Sequence, residues 1–343
     1  MRVNSRIVVG SIALALVLLA RSSFSETELH VFGDSLSDQG HAPIFVDGDI
    51  VDRAATFTNE ISGRPGKVWV SYLASSLDVK DPKPRAPIWE KYHSSFDAKA
   101  TSFAVAGYTA KNIYSSIVDK GSYEELTSAG LKGMSVFYSN EYFTINDGYI
   151  HTEVPKQASH IIATLWGGGN DLLHGADPVT TAQEISQSLQ ALHEIENIKC
   201  IVLLDMPDLG YLPINYFLAE KKGISIAELS AERSDISNVF NAQLAQAVDK
   251  FSSKVQLVEV SKLFAKVLNN PADFGFTETD QSRYCINEIT EPYLPIVPCT
   301  EYSESEAVMV FNDGIHPSTE MHSLIAEYVY RSIESVDSCQ PGE

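Results

Sequence analysis

The chain has 343 residues, with 25 basic against 45 acidic side chains and a formal net charge of −20. So acidic a surface argues against nucleic acid as a partner and allows at most transient contact with anionic membranes, leaving neutral or zwitterionic substrates as the easier fit. The length suits one large α/β domain, because no Pro/Gly/Ser-rich linker divides the chain.

In chain order, Arg2 and Arg6 flank an apolar run from Ile7 to Ala20, and Ser23 and Ser25 are small residues placed for a cut before Glu26. That run is short for a membrane span and has the pattern of a signal peptide over residues 1–25. It predicts an exported mature protein, extracellular or periplasmic, formed by residues 26–343 as a single domain. Short apolar runs then carry a strand signal at Leu29 to Phe32, Phe103 to Ala106, Ile161 to Trp166, Cys200 to Leu204 and Val255 to Val260. Helical periodicity falls between many of them, at Val68 to Leu77, Thr180 to Ile195 and Ile226 to Phe251, and again at Ser318 to Ile333 behind the start signal Pro317-Ser318. Strands apolar on both faces and alternating with helices predict a parallel sheet covered on each side.

Two stretches read differently. Val136-Phe137-Tyr138 and Tyr142-Phe143-Thr144 fit either a hairpin or one aromatic-rich helix. Residues 269–308, rich in Asp, Glu, Pro and Tyr, predict a long inserted loop, and loops of that length tend to be functional. The cysteines are Cys200, Cys285, Cys299 and Cys339, with no Cys-x-x-Cys pair to suggest zinc. Cys285 and Cys299 enclose a short Pro-rich loop, and a bridge there would be worth about 3 kcal/mol. Cys200 opens an apolar run and reads as a buried thiol, its pairing with Cys339 left open.

The chemistry gathers at three stretches. Ser35 sits in Val31-Phe32-Gly33-Asp34-Ser35, where an apolar run stops at a turn. A serine hydroxyl needs a base to become a nucleophile. His316, in Asp313-Gly314-Ile315-His316-Pro317, supplies an imidazole, with Asp313 placed to orient it. An acyl-transfer site also needs donors aimed at an oxyanion. Asn170, after Gly167-Gly168-Gly169, offers its amide, while Gly107 and Ser35 offer backbone N–H groups. Each stretch alone is an ordinary turn or helix-cap sequence. Their combination is what points to catalysis.

These residues make the chain resemble the SGNH or GDSL hydrolase family, whose four blocks match Gly33-Asp34-Ser35-Leu36-Ser37, Gly107, Gly168-Gly169-Asn170-Asp171 and Asp313-Gly314-Ile315-His316. Within the family it is most similar to secreted bacterial phospholipases A and glycerophospholipid:cholesterol acyltransferases. That likeness runs through Gly63-Arg64-Pro65-Gly66-Lys67-Val68-Trp69, Asp205-Met206-Pro207-Asp208-Leu209-Gly210 and Leu263-Phe264-Ala265 to Gly275. The resemblance implies an α/β fold, the flavodoxin-like three-layer α/β/α sandwich with a five-stranded parallel sheet. It implies Ser35 as nucleophile, His316 as base, Asp313 as its orienter, Ser35, Gly107 and Asn170 as oxyanion hole, and Cys285–Cys299 as the disulfide of the acyltransferase loop. No metal or cofactor is implied. The implied substrate is a lysophospholipid or phospholipid, with cholesterol as an acceptor in acyl transfer. A carbohydrate or aryl acetylesterase is the alternative inside the family, and a non-catalytic secreted binding protein or toxin the alternative outside it. Two positions depart from the pattern: Ser102 stands where the second block usually opens with Asn, and Tyr108 where a small residue usually follows the glycine.

Overall fold

The computed structural model describes residues 27–39, 67–83, 100–120, 148–251, 254–276, 308–312 and 314–341, with the backbone of four short strands between 43 and 65. The predicted signal peptide, the aromatic stretch 136–144, Cys285, Cys299 and Asp313 lie outside the described residues.

Strand β1 (Thr27–Gly33) is followed by two small antiparallel pairs, β2 (Pro43–Val46) with β3 (Asp49–Ala54) and β4 (Glu60–Ile61) with β5 (Arg64–Pro65). The main sheet joins β1 to β6 (His160–Trp166), β7 (Ile198–Leu204) and β8 (Val255–Val258), all parallel, in the order β1-β6-β7-β8. Residues 101–105 lie along the far side of β1. The Val31 N–H donates to Thr101 O (2.9 Å), the Phe103 N–H to Val31 O (2.7 Å) and the Val105 N–H to Gly33 O (3.2 Å). This segment occupies the fifth-strand position that the sequence leads one to expect at Phe103 to Ala106. It forms only one isolated parallel bridge, Val31 to Ser102.

The strands are hydrophobic at most positions because both faces are covered. Leu29, Val31, Phe32, Ile161, Ile162, Leu165, Ile201 and Val202 are all essentially inaccessible. The helices fall into two packed groups. Helix α1 (Trp69–Ser76) packs on α8 (Thr319–Ile333), which also meets α7 (Val260–Asn269). On the other side α2 (Ala110–Val118) packs on α4 (Pro178–His193), and α4 on α6 (Ile226–Val248). Short α3 (Gly169–Leu173) follows β6, and α5 (Ile214–Lys222) packs against α6.

Helix starts follow their caps. The Ser318 hydroxyl accepts the Met321 N–H (3.2 Å) at the head of α8. Helix α4 starts two residues before its apolar period does, because Asp177 accepts the Thr180 N–H (2.8 Å) and Pro178 takes the first helical position.

One expectation needs correction. Cys200 is not a thiol: it is bonded to Cys339, with the Cα atoms 4.9 Å apart. Helix α8 carries the C-terminus back over the sheet, so that the final turn Asp337–Cys339 meets β7. Periodicity shows that α8 exists but not where its end arrives. Closing a separation of 139 residues is worth about 5 kcal/mol on the chain-entropy estimate. Of the stretch 269–308 expected as an inserted loop, the described part holds the last residue of α7, Asn269, and a 3-10 turn, Pro271–Phe274, with Phe276 buried; residues 277–307 lie outside the described residues.

Candidate active site

The site forms at the C-terminal ends of the parallel strands, where the chain leaves the sheet and backbone groups are unpaired. Strand β1 must turn sharply beside β6. A side chain at Gly33 would fall on the carbonyl oxygen of Trp166, so glycine is the residue that lets the turn sit there. The turn is closed by the Leu36 N–H donating to the Asp34 carboxylate (3.0 Å) and the Ser37 N–H to Asp34 O (3.1 Å). Behind it, the Trp69 indole N–H donates to the Ser37 hydroxyl (3.0 Å). Ser35 is therefore held on a braced turn.

His316 comes from the loop that leads into α8. That loop is pinned by the Asn312 N–H to His316 O (2.8 Å), the Ser318 N–H to Val310 O (2.9 Å) and the Ile214 N–H to Gly314 O (3.0 Å). The result brings His316 Nε2 to 2.8 Å from Ser35 Oγ across 281 residues of sequence. Both side chains are largely buried, with Ser35 8% and His316 3% exposed. With Nε2 as acceptor, the imidazole is placed to take the hydroxyl proton.

Asn170 opens α3 directly after β6, and Gly168, at φ +98°, makes the tight reversal that aims the helix back at the site. Three side chains hold the adjoining Gly107 turn. Asp38 accepts the Ala106 N–H (2.8 Å), Asn170 Nδ2 donates to Tyr108 O (2.9 Å), and Asp171 accepts the Ala110 N–H at the head of α2 (2.9 Å). Gly107 itself adopts φ +81°. Among the described residues no acceptor takes the N–H of Ser35 or of Gly107. Such unclaimed donors are what an oxyanion requires. Ser35, Asn170 and His316 line one cleft, while Gly107 is not among its described walls and its neighbour Tyr108 accepts the bond from Asn170.

The cleft offers about 510 Å³ of free space counted out to solvent, and its other walls are mainly apolar, including Leu36, Met206, Leu209, Phe264 and Phe311. These wall residues carry no catalytic signature, and sequence reasoning did not assign them. Met206 and Leu209 lie in the Asp205 to Gly210 stretch that contributed to the family resemblance, which was the available clue.

Burial dominates the electrostatics. It pushes the Asp34 carboxyl up to about 7, against the opposing pull of the Leu36 N–H and His316. Asp171 is raised to about 6 for the same reason, opposed by the Ala110 N–H. His322, wholly buried, accepts the Trp69 N–H at Nδ1 (3.2 Å), and burial drives its pKa down to about 3, so it is neutral under ordinary conditions. Among the described residues no three His, Cys, Asp or Glu side chains converge as a metal site would need.

A strand-end serine bonded to a histidine at the edge of a covered parallel sheet defines the class as an α/β protein carrying a serine–histidine pair. The chain belongs to the GDSL-like lipase/acylhydrolase family, whose profile matches residues 29–329. It is 26% identical over 319 residues to esterase EstA of Pseudomonas aeruginosa, covering 88% of this chain and 46% of that protein. It is 22% identical over 365 residues to phosphatidylcholine-sterol acyltransferase of Aeromonas hydrophila, covering 95% of each. The chain spans about half the length of the curated Pseudomonas relatives it matches. Among solved structures, a G-D-S-L family lipolytic protein from Veillonella parvula aligns with 12% identity and a TM-score of 0.42, covering 90% of this chain and all of that one.

Proposed function

We propose that this chain is an exported serine esterase that hydrolyses acyl esters of lysophospholipids and phospholipids through an acyl-enzyme on Ser35. The observation that carries the reading is the 2.8 Å bond from Ser35 Oγ to His316 Nε2 at the wall of an apolar cleft. In this mechanism His316 takes the Ser35 proton as Oγ attacks the ester carbonyl. The negative oxygen is received by the Ser35 and Gly107 N–H groups and the Asn170 amide, and His316 returns the proton to the leaving alcohol. Water, delivered by the same imidazole, then releases the fatty acid. Asp313, three residues before His316, is the proposed orienter of the ring. A sterol reaching the acyl-enzyme in place of water would give acyl transfer.

The apolar cleft walls favour an acyl chain, and the net charge of −20 favours dispersed zwitterionic lipids over anionic bilayers. Export is supported by the disulfide Cys200–Cys339, a bond that persists in oxidising compartments. A panel of lysophosphatidylcholine, diacyl lipid and acetylated glycans, with and without cholesterol, tests the reading on wild type and Ser35→Ala. Fatty-acid release from lysophosphatidylcholine that disappears in Ser35→Ala is the expected result. Release of acetate alone would move the assignment to an acetylesterase, and a folded protein whose Ser35 resists a fluorophosphonate probe would remove the enzyme reading altogether.

A further inference from the structure

A second chamber adjoins the catalytic cleft. Leu212 forms part of both walls, so the two spaces are separated by the turn Leu209–Tyr211, which shows Leu209 to the cleft and Tyr211 to the chamber. The chamber offers about 840 Å³ of free space counted out to solvent, and Tyr211, Tyr216, Ser230, Ser234 and Leu268 are among its walls. Tyr211 and Tyr216 are 45% and 38% exposed, two of the four large apolar side chains so exposed among the described residues. Neither ring has a stacking partner or side-chain hydrogen bond among those residues. Two tyrosine side chains, both substantially exposed, thus line one cavity.

The charges around the chamber are specific. Among the described residues no Lys or Arg lines it. Directly behind its wall, Asp208 accepts the Gly210 N–H (2.8 Å) and the Ser234 hydroxyl (2.8 Å), so a carboxylate stands one hydrogen bond from the space. The nearest cation along α6, Arg233, is buried and directs Nη1 to Asn215 Oδ1 (2.6 Å). Gly210 is required for this construction, since any side chain there would collide with Ser234 and with the backbone of Ser230. Open tyrosine faces, a carboxylate behind the wall and an acidic molecule favour a positive ligand. Among the described residues the lining presents no carboxylate of its own to accept hydrogen bonds from a primary ammonium. A quaternary ammonium has no such bonds to lose and gains from the ring faces.

We propose that this chamber binds the quaternary ammonium of a choline head group, so that the enzyme selects choline-bearing lysophospholipids. The apolar cleft then holds the acyl chain, the scissile ester lies at Ser35, and the head group crosses the Leu212 ridge to the tyrosines. The inference rests on the esterase reading for turnover and adds a head-group specificity to it.

The test compares lysophosphatidylcholine, lysophosphatidylethanolamine and lysophosphatidylglycerol of one acyl length, with p-nitrophenyl octanoate as an ester without a head group. In wild type the choline lipid should show the lowest KM. Tyr216→Leu should raise KM for the choline lipid roughly three- to tenfold relative to p-nitrophenyl octanoate, with kcat on that lipid unchanged, while Tyr216→Phe retains the preference because the ring face is kept. Equal effects on all four esters, a Phe variant as impaired as Leu, or no choline preference in wild type would each overturn the proposal. Absence of turnover on every ester would instead defeat the esterase reading. The chamber is then judged by calorimetric titration of phosphocholine into folded Ser35→Ala: binding weakened by Tyr216→Leu supports it, and no binding to Ser35→Ala overturns it.

Discussion

Strand β1 brings together two imidazole–hydroxyl pairs, one at its middle and one just beyond its end, and the two behave as opposites. At its middle, His30 bonds the Tyr149 hydroxyl through Nδ1 (2.6 Å) and the Glu28 carboxylate through Nε2 (2.9 Å), a complete carboxylate–imidazole–hydroxyl chain. Beyond its end, His316 bonds the Ser35 hydroxyl. The imidazole and hydroxyl of the first chain are enclosed, with only Glu28 partly exposed: His30 and Tyr149 have no exposure, and Tyr149 is packed edge-on against Phe32 and Phe103. The second opens on an apolar cleft with unclaimed N–H donors beside it. The same functional groups therefore serve as a satisfied core network in one place and as candidate catalytic machinery in the other. What differs is access at the C-terminal edge of a parallel sheet, where side chains meet substrate.

The sharpest way to break this comparison is to remove each hydroxyl in turn. Ser35→Ala should lower kcat by about 10⁴ or more while leaving the urea midpoint nearly unchanged, measured on a soluble ester and by chemical denaturation. Substantial turnover in that variant would show that the site is elsewhere. Next in size, Asn170→Ala should lower kcat by about 10²–10³ through loss of an oxyanion donor. Because Asn170 also holds Tyr108 O, a loss of melting temperature together with unchanged kcat would assign it to structure alone.

The pH dependence of stability sharpens the contrast through a third histidine. His322 has a folded pKa of about 3, below the unfolded value near 6.5, so the unfolded chain binds its proton first as pH falls. Its contribution to stability is complete above about pH 6.5 and is lost progressively as pH falls from there toward about 3. His30, also lowered by burial, acts in the same direction. Asp34, Asp171 and Asp205 are raised and act oppositely, costing stability as pH rises through their values, so the histidine term has to be read as a difference. The gap in unfolding free energy between wild type and His322→Gln, which keeps an acceptor for the Trp69 N–H, should shrink between pH 7 and pH 4.5. Parallel curves would show that His322 is not the group titrating.

The smallest expected effect closes the comparison. Tyr149→Phe should cost about 1–3 kcal/mol of stability, because His30 loses a buried partner, and should leave kcat within about twofold. A large fall in kcat with intact stability would mean that the enclosed chain communicates with the site.

The residues themselves determined a good deal here. Apolar runs on both faces at Leu29 to Phe32, Ile161 to Trp166 and Cys200 to Leu204 could only be interior parallel strands, and the turn after Phe32 had to follow from Gly33-Asp34-Ser35, because burial pattern and turn chemistry are local properties. Cap residues such as Ser318 likewise mark their helices from sequence alone. The tertiary structure decided what depends on arrival: that His316 reaches Ser35 across 281 residues, that Cys339 meets Cys200, and that Met206, Leu212 and Phe264 become cleft walls. It also decided that His30, an unremarked strand residue, has Tyr149 as its partner. Such contacts are set by how layers pack around the sheet, and no periodicity within a single segment encodes the distance between two segments that the fold later brings together.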